Sequence, residues 1–159
     1  MRPAGRRIAR GAAVPVAAGA AGLLALSLYA STGAAGAPAA RIEVTGGRLL
    51  LPSNPEATAA FFDLRNTGGS ADTLLGVDSP ELGPAMLTRT AVAAGAGHME
   101  RVAGVLLRPG ARLSMTPYGT DVMIPHPRGL ALGAHVAFDL RFAGSGTIRV
   151  RAVVVRPGG

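Results

Sequence analysis

His135-Val136-Ala137-Phe138-Asp139-Leu140-Arg141-Phe142, a turn at Gly144-Ser145-Gly146, then Thr147-Ile148-Arg149-Val150-Arg151-Ala152-Val153-Val154-Val155: this stretch decides the fold. Val136, Phe138, Leu140 and Phe142 alternate with Ala137, Asp139 and Arg141, and past the turn Ile148, Val150, Ala152 and Val154 alternate with Arg149 and Arg151. A period of two gives each strand one apolar face and one polar face. Two such runs joined by a glycine-rich turn predict an antiparallel hairpin with one face on a core.

The same signal recurs toward the N-terminus. Residues 41–51 alternate in part, with Gly46-Gly47 as a turn or bulge. Residues 57–65 carry Phe61-Phe62, and Asn66-Thr67-Gly68-Gly69-Ser70 is a turn. Strands are predicted over 72–77, 86–93, 105–107, 111–115 and 121–124, with a short edge strand over 99–102 and a hairpin turn at Arg108-Pro109-Gly110. No stretch after Arg41 sustains helical periodicity for three turns. Short strands spaced by Gly/Pro turns predict an all-β antiparallel sandwich or barrel of seven to nine strands.

The first forty residues are of another kind. Arg2, Arg6, Arg7 and Arg10 precede an uncharged stretch from Gly11 to Tyr29, and small residues follow up to Ala40. That is the layout of an export signal, with cleavage sites at Ala35-Gly36-Ala37 and Ala37-Pro38-Ala39. The competing reading is a retained anchor through residues 11–30, since the uncharged stretch approaches the roughly 20 residues that span a bilayer. Its Ala/Gly content makes it weakly hydrophobic, which favours cleavage. The expected division is therefore 1–40, signal or anchor, and 41–159, a β-domain of an exported protein.

The formal charge of +7 includes the four leader arginines. From Arg41 onward, twelve arginines face nine acidic residues, a balance of +3 spread without a run or interleaved aromatics. A nucleic-acid interface needs a clustered basic face, so that class is excluded. The sequence contains no cysteine, which excludes disulfides, lipid attachment at an N-terminal cysteine, and blue copper with its thiolate ligand.

Catalytic motifs are missing as well. Ser114 and Ser145 have no nucleophile-elbow context, and His98 and His126 lack the closely spaced partners of a zinc site. The chain reads as a binding protein, not an enzyme. Soft donors do gather between Met86 and Met123: Met86-Leu87-Thr88, Gly97-His98-Met99 and Asp121-Val122-Met123. Thioether and imidazole suit Cu(I). The plainer reading is that these methionines fill gaps in a small core.

Asn66-Thr67-Gly68-Gly69, Leu74, Ser79-Pro80, Leu107-Arg108-Pro109-Gly110, Pro117-Tyr118-Gly119 and Phe138-Asp139-Leu140-Arg141-Phe142 occur in an order that resembles the periplasmic copper chaperone family PCu(A)C. The resemblance covers residues 41–155. It implies a cupredoxin-like or immunoglobulin-like β-barrel that delivers Cu(I) to copper-dependent envelope proteins, such as cytochrome oxidase assembly components. The family motif His-x10-Met-x21-His-x-Met falls here on Thr88, Met99, Asp121 and Met123. Both methionines are in place and both histidines are replaced. The resemblance thus implies a divergent, Met-based Cu(I) site with Met99 and Met123 as ligands. Met86 lies two residues before Thr88 and can add a third sulfur, and Asp121 shares a strand face with Met123. His98 can contribute only if a bulge or turn at Gly97 turns two neighbouring residues inward. The alternative is a β-domain that has lost the metal and binds another envelope protein.

Overall fold

The C-terminal alternation becomes a long hairpin, β10 (His135–Phe142) and β11 (Gly146–Val155), in continuous register from His135 opposite Val153 to Phe142 opposite Gly146. This is a computed structural model, and it describes residues 5–31, 36–93 and 96–158. The chain divides into two units, Met1–Ala37 and Pro38–Gly159. The first contains α1 (Gly5–Ser31), whose apolar side chains such as Leu23, Leu24 and Leu28 are exposed. No helix among the described residues is long and apolar enough to cross a membrane.

The second unit adds β1 (Ile42–Leu50), β2 (Ala57–Asn66), β3 (Asp72–Ser79), β4 (Gly83–Pro84), β5 (Met86–Ala93), β6 (Ala96–Arg101), β7 (Val105–Leu107), β8 (Arg112–Ser114) and β9 (Thr120–Pro125). They join the hairpin in the order β4-β3-β10-β11-β1-β2-β9-β5-β6, with β7 on β3 and β8 on β2. The all-β cupredoxin-like fold expected from the sequence is the fold observed. Among the described residues eleven strands form where seven to nine were expected, because pieces of only two or three residues, β4, β7 and β8, also pair.

Two pairings depart from the expectation. β1 and β11 run parallel, Arg48 opposite Val153 and Leu50 opposite Val155, so the sheet is mixed. Arg108-Pro109-Gly110 does turn the chain, with Gly110 at φ 75° and the Ala111 amide donating to the Arg108 carbonyl. Its flanking strands do not pair with each other. β7 goes to β3 and β8 to β2. A turn sets chain direction, while long-range pairing decides which edge each strand completes.

The core is the inward face of these strands. Phe62, Leu64, Leu74, Val122, Phe138, Leu140 and Val154 are almost fully buried, and Phe62 meets Phe138 edge-on with centroids 5.3 Å apart. Gly46, at φ 70°, supplies the predicted bulge, and β1 shifts register between Thr45 and Gly47.

Two buried polar residues lock the ends of strands. Asn66 is fully buried; its amide donates to the carbonyls of Ser70 (2.7 Å) and Leu107 (3.0 Å), and its Oδ1 accepts from the amides of Gly68 and Arg41. Asp72 starts β3 and accepts from the amides of Thr73, Gly144 and Ser145, fastening the β10–β11 turn. Burial alone would raise the Asp72 carboxyl, but hydrogen bonds from the amides of Gly144, Thr73 and Ser145 outweigh it and hold the group below its ordinary 3.8. A depressed carboxyl stabilises the fold above its unfolded value, and that contribution disappears as pH falls through the folded value. Asp72→Asn is expected to lower stability by about 1–2 kcal/mol at neutral pH. The difference from the unmutated chain should shrink as pH drops below about 4. Urea unfolding at a series of pH values checks this, and a gap that stays constant with pH would contradict it.

Candidate functional site

The candidate residues lie on β5, β6 and β9, at one end of the sheet. β9 is held between β2 and β5, with Ala59 opposite Met123 on one side and Met86 opposite Met123 on the other. The loop before β9 is closed by Gly119, whose amide donates to Thr116 while its carbonyl accepts from Thr90. Thr90 also donates its hydroxyl to the Pro117 carbonyl, which ties this loop to β5.

Register settles which side chains share a face. Met86 faces Met123 and Thr88 faces Asp121 across β5–β9. Across β5–β6, Thr88 faces Arg101 and Thr90 faces Met99. Directly opposed residues project to the same side, so Met86, Thr88, Thr90, Met99, Arg101, Asp121 and Met123 form one patch. His98 faces Ala91 and projects to the other side. The condition set for His98 is not met: β5 and β6 pair without a register shift, and no bulge brings His98 round beside Met99.

Within the patch the two positions that carry histidine in the motif bind each other. The Thr88 hydroxyl donates to Asp121 Oδ1, and both residues are only 4% exposed. Burial pushes the Asp121 carboxyl up, opposed by the Thr88 hydroxyl and its own backbone amide. Met86 is half-buried and its Sδ accepts from the Arg101 guanidinium. Met123 is half-buried, and Met99 is 50% exposed on the edge strand. Met99, Asp121 and Met123 then line one cleft of about 300 Å³, whose other walls include Leu51, Phe61 and Pro117. Met86 is not among its lining residues.

The remaining candidates stand apart. His126 is exposed at φ 48° and its amide donates to Glu56, His135 is exposed at the start of β10, and Met115 is buried in the core. Among the described residues no three His, Asp or Glu side chains are close enough to hold a metal ion. Sequence reasoning missed Arg101 and the cleft walls from β1 and β2. Arg101 stands two residues past Met99 and so on its face, a signal that was available; the β1 and β2 walls arrive through long-range pairing.

The family model that matches the sequence is the LpqE-like lipoprotein family, over residues 40–154. No curated protein matches the chain. Among solved structures, the copper-bound PCuAC domain from PmoF2 superposes with a TM-score of 0.61 at 21% identity, covering 77% of this chain and 99% of that one. The apo PCuAC domain from PmoF1 gives 0.62 at 21% identity, over 75% and 97%. CuI-DR1885 from Deinococcus radiodurans gives 0.57 at 25% identity, over 76% and 80%.

Proposed function

The chain belongs to the LpqE-like family, and on that footing we propose that it carries Cu(I) on the thioethers of Met99 and Met123 as an exported copper chaperone. The observation that carries this reading is the gathering of three thioethers, Met86, Met99 and Met123, on one face of β5, β6 and β9. The sulfur donors suit Cu(I), whereas the Asp121 oxygen is a hard donor that matches it poorly. Two structural neighbours are a copper-bound PCuAC domain and a Cu(I) form, which supports the same cargo here. The metal would sit at the mouth of the cleft, with Met99 exposed on the rim. Donors from a copper-dependent envelope protein, such as a cytochrome oxidase assembly component, replace these sulfurs one at a time. A shallow, incomplete ligand shell is what permits such release. Residues 1–40 act as export signal or anchor, and residues 41–159 do the binding.

A second reading has its own observation. Thr88 and Asp121 satisfy each other, and Arg101 engages the Met86 sulfur, so part of the patch is already internally paired. In that reading the domain binds an envelope protein without metal. Competition of the full chain against a chromophoric Cu(I) chelator separates the two. The copper reading expects one-to-one uptake that is lost in Met99→Ala/Met123→Ala. No uptake by the unmutated chain would overturn it.

A further inference from the structure

We propose that the cleft beside the thioethers is a binding site for a small organic cation with an apolar body, an alkylammonium ion seated on Asp121. This goes beyond copper carriage and does not depend on it. The cleft, about 300 Å³, is at the small end of ligand pockets. It continues into a second cavity of about 390 Å³, with Leu50, Phe61, Pro117 and Pro157 common to both. An apolar body therefore has room to extend along these residues and away from Asp121.

The charge of the ligand follows from what lines the cleft. Asp121 is the one ionisable side chain among its lining residues, against mostly leucine, proline, alanine, phenylalanine and methionine walls with Ser53 and Thr58 between them. Asp121 is 4% exposed, and among the described residues Thr88 is the only side chain that donates to its carboxylate. Among the described residues the ion pairs are Arg141–Asp78 and Arg149–Asp139, so no arginine neutralises Asp121. A buried carboxylate without a counter-charge is costly, and a cation that brings its own apolar surface removes that cost. An ammonium group donates to the carboxylate while its alkyl chain leaves water against Phe61 and Leu50. At the far end the adjoining cavity is bordered by Arg48, which disfavours a second cation there and fixes the ligand's direction. Met99 and Met123 line the same cleft, so the amine and copper exclude one another.

The test is a titration of the copper-free full chain, labelled at its methionine methyl groups, with hexylammonium and in parallel with hexanol. The ammonium ion is expected to shift the Met99 and Met123 methyl signals, to leave that of core-buried Met115 unmoved, and to bind about tenfold more tightly than the alcohol. Asp121→Asn should bring the two ligands to equal affinity. Equal affinity in the unmutated chain, or unmoved Met99 and Met123 signals, would overturn the proposal without any variant having to fold. Because copper is absent throughout, either result stands whether or not the chain carries Cu(I).

Discussion

Placing imidazoles at the two altered motif positions, Thr88→His with Asp121→His, is expected to tighten Cu(I) binding about a hundredfold. The geometry supports the exchange. Residues 88 and 121 face each other across β5 and β9, on the same side as Met86, Met99 and Met123. The substitution replaces a hydroxyl and a hard carboxylate, now occupied with each other, by two donors of intermediate softness. Changes that merely reorient metal ligands alter affinity by about 10–100-fold, and two added ligands should reach the upper end of that range. Both positions are buried, so the larger rings will strain the packing by about 1–3 kcal/mol. Chelator competition measures the affinity, and thermal unfolding measures the strain separately. A stable double variant with unchanged affinity would mean that the motif face is not where copper sits.

The largest loss of stability is expected at Asn66, far from the cleft. Asn66→Ala removes four hydrogen bonds at once, to Ser70, Leu107, Gly68 and Arg41, and leaves four backbone groups without these partners. At about 1 kcal/mol for each bond, the expected loss is about 3–4 kcal/mol. The neighbourhood cannot relax to compensate. A Cβ on Gly68 would come within 2.2 Å of the Ala39 carbonyl oxygen, so the 66–70 turn and the segment before β1 are already in contact. Asn66→Asp separates hydrogen bonding from volume. It keeps the acceptor toward Gly68 and Arg41 but turns an oxygen toward two carbonyls, and it should be destabilised as strongly as alanine. A shifted urea midpoint with an unchanged slope would establish this. A loss below about 1 kcal/mol would show that water replaces the amide.

Local pattern carried much of the fold. β10 and β11 begin and end within a residue of where their alternation does, Gly46-Gly47 bulges within β1, and Asn66–Ser70 turns where its residue types require. Pairing across long sequence separations was not legible. Nothing in residues 42–50 marks them as the parallel partner of 146–155, and nothing in Arg108-Pro109-Gly110 says that its two strands will part. At the site, the motif spacing picked out Thr88, Met99, Asp121 and Met123, because a fixed interval survives substitution of the residues at its ends. Sequence could not say that Thr88 and Asp121 would bond to each other, since that depends on the β5–β9 register. The β5–β6 register sends His98 to the opposite face, a matter of one residue in a period of two.

The position of β11 has a consequence in time. It is the last strand in sequence among the described residues, yet it lies inside the sheet, between β10 and β1. While the chain is being made, β1, β2, β9, β5 and β6 can associate, and so can β4, β3 and β10, but nothing in the strand order joins the two groups until residues 146–155 have emerged. The Phe62–Phe138 contact bridges those groups, so the core spans two sets of strands that β11 joins edge to edge. Contacts of such long sequence separation also slow folding. Pairing of residues 146–155 with β1 and β10 is therefore the step that completes the sheet, and it comes late in any folding order that begins with nearer neighbours.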